Sequence, residues 1–353
     1  MVQNVCINGE QRHVKRLEFG VKSRSLCSCV FSIPLLVLLL FYYIDPHVLI
    51  ETWASTVGFL SETFTTSNES QSWRLSDLYY VNYPQKYHFV TNEPEKCRKE
   101  NTFVVLMVPV ASGNTAARDA IRATWGMEKL VEDKVVSVFF LLGSSSSEEN
   151  TKLKKQLLEE SARYHDILQC DFLDSYHNLT IKTMVMLEWL ARYCQNASYA
   201  MKVDSDIFLN VNNLVKMLLS APTENYMTGL VTRGGMVVRD PRSKWYLPKS
   251  VYAPALYPPY ALGLGYVLSL DLPKKLVEAA KRVKAVYIED VYLGMCMKHL
   301  GISLTYPSRR DLFHVFPVKY DRCRYSKLIA TTTQSLRDQV EFWKDLQKPQ
   351  RPC

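Results

Sequence analysis

The chain lacks the short signatures of several common chemistries. It contains no G-x-S-x-G and no H-E-x-x-H, which removes a nucleophile-elbow hydrolase and a zincin protease from consideration. It has no C-x-x-C pair, so a structural zinc site is not expected. With 13 Gly and 16 Pro in 353 residues it is neither collagen-like nor low-complexity, and no segment repeats. Its 43 Lys and Arg against 35 Asp and Glu give a net charge of +8 with no long basic block, so nucleic acid is not an expected partner. A hydrophobic content of 47% excludes a disordered chain.

What is present begins with an uncharged run. Residues 26–44 (LCSCVFSIPLLVLLLFYYI) contain no charged side chain. As a helix they span about 28 Å, roughly one bilayer core, and Pro34 is tolerated in such a helix. Arg12, Lys15, Arg16, Lys22 and Arg24 precede the run. No Lys or Arg follows until Arg74, whereas Asp45, Glu51, Glu62 and Glu69 do. This bias predicts a cytosolic N-terminus with the remainder across the membrane. A cleaved signal peptide would carry a shorter apolar region and small residues where Phe41, Tyr42 and Tyr43 stand. A permanent signal anchor is therefore expected, and its short span suits a Golgi bilayer. Cys27 and Cys29 within it are acylation candidates or simply apolar-facing thiols.

The expected organisation is a cytosolic tail (1–25), a transmembrane helix (26–44), a polar stem (45–96) and a lumenal domain (97–353). Six cysteines fall beyond the membrane: Cys97, Cys170, Cys194, Cys296, Cys323 and Cys353. That compartment permits disulfides, and six thiols allow 15 pairings. Asn68, Asn178 and Asn196 are glycosylation sequons. Within the lumenal part, apolar runs at 103–110, 135–142, 165–172 and 199–203 read as buried strands. Helical patterns occur at 116–125, 148–164, 179–193, 272–283 and 291–300. The alternation predicts an α/β fold with a largely parallel, Rossmann-like sheet, followed by an irregular C-terminal half.

Three short segments carry candidate chemistry. In Lys202-Val203-Asp204-Ser205-Asp206 a strand delivers two carboxylates at its C-terminal end, the edge where open α/β sheets bind ligands. Residues i and i+2 face one side, so Asp204 and Asp206 can serve one hard divalent cation; a solvated turn is the plainer alternative. Arg118 and Arg122 share one helix face and suit a diphosphate, unless Arg122 pairs with a carboxylate and Trp125 is core. Glu289 and Asp290 open a helix, where acids stabilise the dipole or one acts as a general base. His314 is a lone histidine in an apolar stretch, a core residue or a metal ligand.

In order, RDAIRATWG (118–126), DFLDSYHNLTIKT (171–183), KVDSDIFLN (202–210), KWYLP (244–248), YPPYALGLGYVLS (257–269), EDVYLG (289–294) and CRYSKLI (323–329) resemble the animal β-1,3-galactosyltransferase group of the β-1,3-glycosyltransferase family. The resemblance covers nearly all of residues 97–353. It implies a GT-A type fold, UDP-galactose as donor, a divalent cation (usually Mn²⁺), a glycan acceptor on glycoprotein or glycolipid, and inversion at the anomeric carbon. It leaves a homodimer open. By position it implies metal contacts from Asp206, Asp204 and His314, and a general base at Asp290 with Glu289 beside it. It implies donor contacts from Arg118, Arg122, Lys202, Asp204, Asp174, Trp245, Tyr246 and Gly265. Ala261-Leu262-Gly263 departs from the Cys-Ser-Gly frequent in the group, so the group's disulfides transfer incompletely; Cys296–Cys323 is the bridge expected here. The same mechanism with UDP-N-acetylglucosamine or UDP-N-acetylgalactosamine is the alternative. An inactive glycan-binding relative would be expected to lack Asp206 or Asp290, and both are present.

Overall fold

A computed structural model describes residues 79–145, 151–349 and 353. The expected tail, anchor, most of the stem and Asn68 lie outside the described residues, among which no helix is long and apolar enough to cross a membrane.

Strand β1 (Phe89–Thr91) and helix α1 (Lys96–Glu100) lead into β2 (Val104–Pro109), an apolar run buried along nearly its whole length. Asn114 caps α2 (Thr115–Arg122) by accepting from the Ala117 N–H at 3.2 Å. Strands β3 (Leu130–Val131) and β4 (Lys134–Ser144) form a hairpin whose two turn residues, Glu132 and Asp133, are left-handed. There follow α3 (Thr151–Tyr164), β5 (Ile167–Leu173), α4 (Leu179–Tyr193), β6 (Tyr199–Val203), β7 (Ile207–Leu209), α5 (Val211–Leu218) and β8 (Met227–Thr232). The C-terminal part adds β9 (Tyr260–Ser269), α6 (Leu272–Ala280), α7 (Glu289–His299), β10 (Phe313–His314), α8 (Arg322–Tyr325), β11 (Ala330–Thr332) and α9 (Leu336–Gln347).

The main sheet runs β1-β5-β4-β2-β6-β9-β8. Strands β5, β4, β2 and β6 are parallel, and β1, β9 and β8 add antiparallel flanks. From β2 the chain winds outward through β4 and β5, then returns to place β6 on the other side of β2. The switch of winding direction therefore lies between β2 and β6, and the crevice outside their carboxyl ends is the position for a ligand. Alternate side chains serve two cores, as a strand period of 2 requires. Val105, Met107, Phe139 and Leu141 face α4, α6 and α7. Val104, Leu106, Val138 and Phe140 face α2 and α5. A small second sheet, β10-β11-β7, begins one residue after Asp206.

Two expectations are corrected here. Residues 79–96, read as stem, are built into the fold: β1 pairs with β5, the Val81 N–H donates to the Ala285 carbonyl at 2.9 Å, and Tyr83 is buried. The bridges are Cys97–Cys194 and Cys323–Cys353, not Cys296–Cys323; Cys296 is a buried free thiol on α7, as is Cys170 on β5. Topology explains the first pair. Strands β2 and β6 are parallel neighbours, so the segments entering them meet at one sheet edge, and Cys97 and Cys194 sit on those segments.

Candidate active site

Strand β6 ends at Val203, and Asp204 and Asp206 occupy the turn that follows, at the switch-point edge. The turn is pinned from several sides. The Ile207 N–H closes on the Asp204 carbonyl at 3.3 Å, and Thr333 donates to the Asp206 carbonyl through its N–H (2.9 Å) and its hydroxyl (2.8 Å). Trp125 Nε1 and Gln339 Nε2 both donate to the Ile207 carbonyl, at 3.1 and 2.9 Å. Trp125 is thus core, and it positions the acidic turn from beneath.

Lys202, one residue before β6 ends, is buried, and its ammonium organises the site. It lies 2.7 Å from Asp204 Oδ1 and 3.9 Å from Glu289 Oε2, and it donates to the Gly263 carbonyl. Burial would lower its pKa, but Asp204 and Glu289 reverse the sign and hold it charged. Gly263, on β9, completes the link: its N–H donates to Asp290 Oδ2 at 3.0 Å, and a Cβ there would stand 3.3 Å from Glu289 Oε2. Lys202, Asp204, Glu289 and Asp290 therefore form one connected cluster around Gly263. Gly265 sits in the ladder opposite Val203, where a Cβ would meet Met201 Cε at 3.0 Å; strand packing accounts for that glycine.

The two acids of α7 have different surroundings. Glu289 is buried, accepts from the Tyr266 hydroxyl at 2.6 Å and faces Lys202. Burial pushes its carboxyl up, Lys202 pulls it back and Asp290 adds to the rise, leaving it at about 6. Asp290 is partly exposed and accepts backbone N–H groups from Gly263 and Val291. Desolvation raises its pKa above the ordinary aspartate value despite these bonds. A solvent-reachable carboxylate with a raised pKa suits a general base, whereas Glu289 is committed to Tyr266 and Lys202.

Other expected contacts fall elsewhere. Arg118 is fully buried, and its guanidinium is spent on the Glu160 carboxylate, the Ala111 and Ser112 carbonyls and the Thr115 hydroxyl. Arg122 pairs with Asp166 at 2.8 Å and Glu160 at 2.7 Å. These internal carboxylates consume the charge expected to meet a diphosphate, so the pair ties α2 to α3 and shapes the loop after β2. Asp174 likewise accepts from the buried ammonium of Lys182, at 2.8 Å to Oδ2. Lys182 also reaches the Val110 carbonyl at 3.0 Å, and the Gly143 N–H donates to Asp174 at 3.3 Å. That network locks together the carboxyl ends of β2, β4 and β5. Lys182 escaped sequence reading because a lysine inside an apolar helix carries no local signal. Trp245 is half exposed and Tyr246 packs edge-on against Tyr79 at 5.4 Å.

Asp204 and Asp206 fit a hard cation. Both can be reached from solvent, and Asp206's carboxyl is raised by desolvation and by Asp204's charge, a repulsion that a cation between them would relieve. His314 does not join them: among the described residues no three His, Cys, Asp or Glu side chains converge into a set that could hold a metal ion. Its Nε2 donates to the Asp311 carbonyl at 3.0 Å, and β10 is separated from β7 by β11.

Acids at the switch point of a mostly parallel sheet, with a second acid pair joined to them, define an α/β protein with a ligand crevice that carries candidate cation-binding and acid–base groups. Residues 116–308, just over half of the chain, match the family model described as Galactosyltransferase. Beta-1,3-galactosyltransferase 1 of Mus musculus is 36% identical over 310 residues, covering 83% of this chain and 93% of that protein. Beta-1,3-galactosyltransferase 2 of Homo sapiens is 40% identical over 271 residues, covering 75% of this chain and 64% of that protein. The chain thus spans less than two thirds of the length of the latter relative. Among solved structures, the galactosyltransferase LgtC in complex with donor and acceptor sugar analogs covers 70% of this chain and 97% of its own at 13% identity and a TM-score of 0.36, too slight a likeness to carry an argument. The chain belongs to the galactosyltransferase family.

Proposed function

We propose that the protein transfers galactose from UDP-galactose to the 3-hydroxyl of an acceptor sugar, with inversion, forming a β-1,3 linkage on a glycoprotein or glycolipid glycan. The observation that carries this reading is the connected cluster in which Lys202 and Gly263 join Asp204 to Asp290. Asp290 takes the proton of the attacking hydroxyl on the face opposite the departing diphosphate. Glu289 and Asp204 hold the Lys202 ammonium between the nucleotide side and the base side, and Lys202 in turn keeps Glu289 from repelling Asp290's charge uncompensated. Asp204 and Asp206 would hold a divalent cation, Mn²⁺ by the family resemblance, supplying charge neutralisation at the diphosphate. The reading extends to a single-pass type II protein with its catalytic part in the Golgi lumen. Asn196 is exposed and suits glycosylation there.

A donor-by-acceptor matrix on the purified full chain, run with Mn²⁺ and with chelator, tests this. The expected result is chelator-sensitive transfer from UDP-galactose to N-acetylglucosamine-terminated acceptors. Preferential transfer from UDP-N-acetylglucosamine or UDP-N-acetylgalactosamine would replace the donor and keep the mechanism. No transfer from any UDP-sugar would remove the enzyme reading.

A further inference from the structure

Beside Asp290 the fold leaves two large aromatic rings partly exposed. Trp245, in the connection between β8 and β9, is 50% exposed, and Tyr176, between β5 and α4, is 43% exposed. These rings come from distant parts of the chain, yet one ammonium spans them: Lys244 Nζ lies 4.6 Å from the Trp245 ring centroid and 5.5 Å from that of Tyr176. They therefore share one surface.

That surface is anchored to the helix that carries the base. The Tyr287 hydroxyl lies 2.8 Å from the carbonyls of both Lys244 and Tyr246, which fixes the backbone on either side of Trp245. The Tyr287 ring packs against His177 at 5.0 Å, which fixes the neighbour of Tyr176. Tyr287 stands two residues before Glu289, where α7 begins. Tyr176 also senses the site directly: its phenol pKa is raised by burial first and by the charge of Asp290 next. Large exposed rings held rigid next to a general base are costly to keep in water and match the chemistry of a sugar. One face of a pyranose presents C–H groups to the negative π face, while its rim of hydroxyls needs a donor.

We propose that Tyr176 and Trp245 form a stacking platform for the acceptor pyranose, with Lys244 donating a hydrogen bond at its edge. This deepens the proposed function and rests on the assignment of Asp290 to the acceptor hydroxyl. It moves Trp245 from the donor to the acceptor side and leaves Tyr246 as support.

Steady-state kinetics of the full chain with UDP-galactose and benzyl β-N-acetylglucosaminide test the platform in W245A, Y176A and K244A. The loss of one stacked ring raises the acceptor KM about tenfold, a larger change than in the donor KM. W245F, which keeps a flat ring, restores most of the affinity and serves as the readout if W245A fails to fold. A rise in donor KM with unchanged acceptor KM in either Trp245 variant overturns the proposal. A second measurement separates it from the failure of the transferase reading: tryptophan fluorescence titrated with the same glycoside in the presence of UDP. A saturable change in the wild type that W245F loses supports the platform even if no UDP-sugar is turned over; no change in the folded wild type overturns it.

Discussion

Lys202→Met should destabilise the protein in a way that depends on pH, because the substitution strands a buried carboxylate. Glu289 is 8% exposed, and the Lys202 ammonium stands 3.9 Å away. At an effective dielectric constant of about 20, charges at that distance interact by about 4 kcal/mol. Breaking a buried pair from one side costs about 3–5 kcal/mol, in the same range. The Asp204 contact adds less than about 1 kcal/mol, since that side chain is 41% exposed and screened. Protonation of Glu289 is the relief route. Its folded pKa of about 6 exceeds the ordinary 4.5, so the folded state binds the proton more tightly than the unfolded chain does. Glu289's own contribution to wild-type stability is then greatest below the unfolded value and falls by about 2 kcal/mol as pH rises through 6. Without Lys202 the folded pKa moves higher still, and the fall continues beyond pH 6. Urea unfolding of wild type and K202M at pH 5 and pH 8 should show a deficit of about 1 kcal/mol at pH 5 that grows to about 3–5 kcal/mol at pH 8. Adding Glu289→Gln to K202M should recover most of the loss at pH 8. A deficit equal at both pH values, or a double variant no more stable than K202M, would refute the account of this cluster.

Arg118→Met should cost about 3 kcal/mol, the low end for breaking a buried pair from one side, because Glu160 loses one of its two guanidinium partners and keeps Arg122, while the UDP dissociation constant measured by calorimetry stays within about twofold. A tenfold loss of UDP affinity in the folded variant would return Arg118 to the diphosphate. Replacing both cysteines of the Cys97–Cys194 bridge with Ser should lower stability by about 5 kcal/mol, and the same change at Cys323–Cys353 by about 4, since the sequence separations are 97 and 30. A smaller loss from the first bridge in urea melts would show that chain entropy does not rank them. Asp290→Asn should reduce kcat by about 10²–10⁴ with UDP binding kept. In the wild type, kcat/KM should fall as pH drops through a limb above the ordinary aspartate value of 3.8, because burial raises the Asp290 carboxyl; a limb at or below 3.8 contradicts that role.

What could be read in advance followed how local each signal is. Helix α4 and strand β6 were legible to the residue, because a 15-residue apolar helix and a five-residue buried strand each carry their own pattern. The acid pairs were legible for the same reason, as they sit next to such elements. Helix α7 declares itself less clearly: Val291, Tyr292, Leu293, Cys296 and Met297 are all buried, so no polar face marks the helical period. The sheet β10-β11-β7 is built from strands of two or three residues, too short for any alternation to register. The partners of Arg118 and Arg122 lie 42 and 44 residues away, and nothing at 118–126 separates an arginine aimed at a diphosphate from one aimed at Glu160 or Asp166. The Cys97–Cys194 pairing was illegible because it follows the adjacency of β2 and β6, which is a property of the sheet.

The least legible part of the site is its central joint. Asp204 and Asp290 are 86 positions apart and were assigned to different tasks, metal and base. What makes them one site is the peptide backbone of Gly263, with its carbonyl facing Lys202 and its N–H facing Asp290. Backbone groups have no residue-type signature; only the missing side chain does, and it records the reason. A Cβ at that position would stand 3.3 Å from Glu289 Oε2, a tight contact that would push that carboxylate by a few tenths of an ångström, and 3.5 Å from Asp290 Oδ2, an ordinary one, so glycine lets β9 approach the acids of α7 without disturbing them. The same approach is enforced further along α7, where a Cβ on Gly294 would stand 2.7 Å from the Pro259 carbonyl oxygen. Gly294 on the helix thus sets how closely α7 packs against the start of β9, and Gly263 on the strand leaves the acids undisturbed at that spacing. That spacing keeps Asp290 linked through the Gly263 backbone to Lys202, and through Lys202 to Asp204.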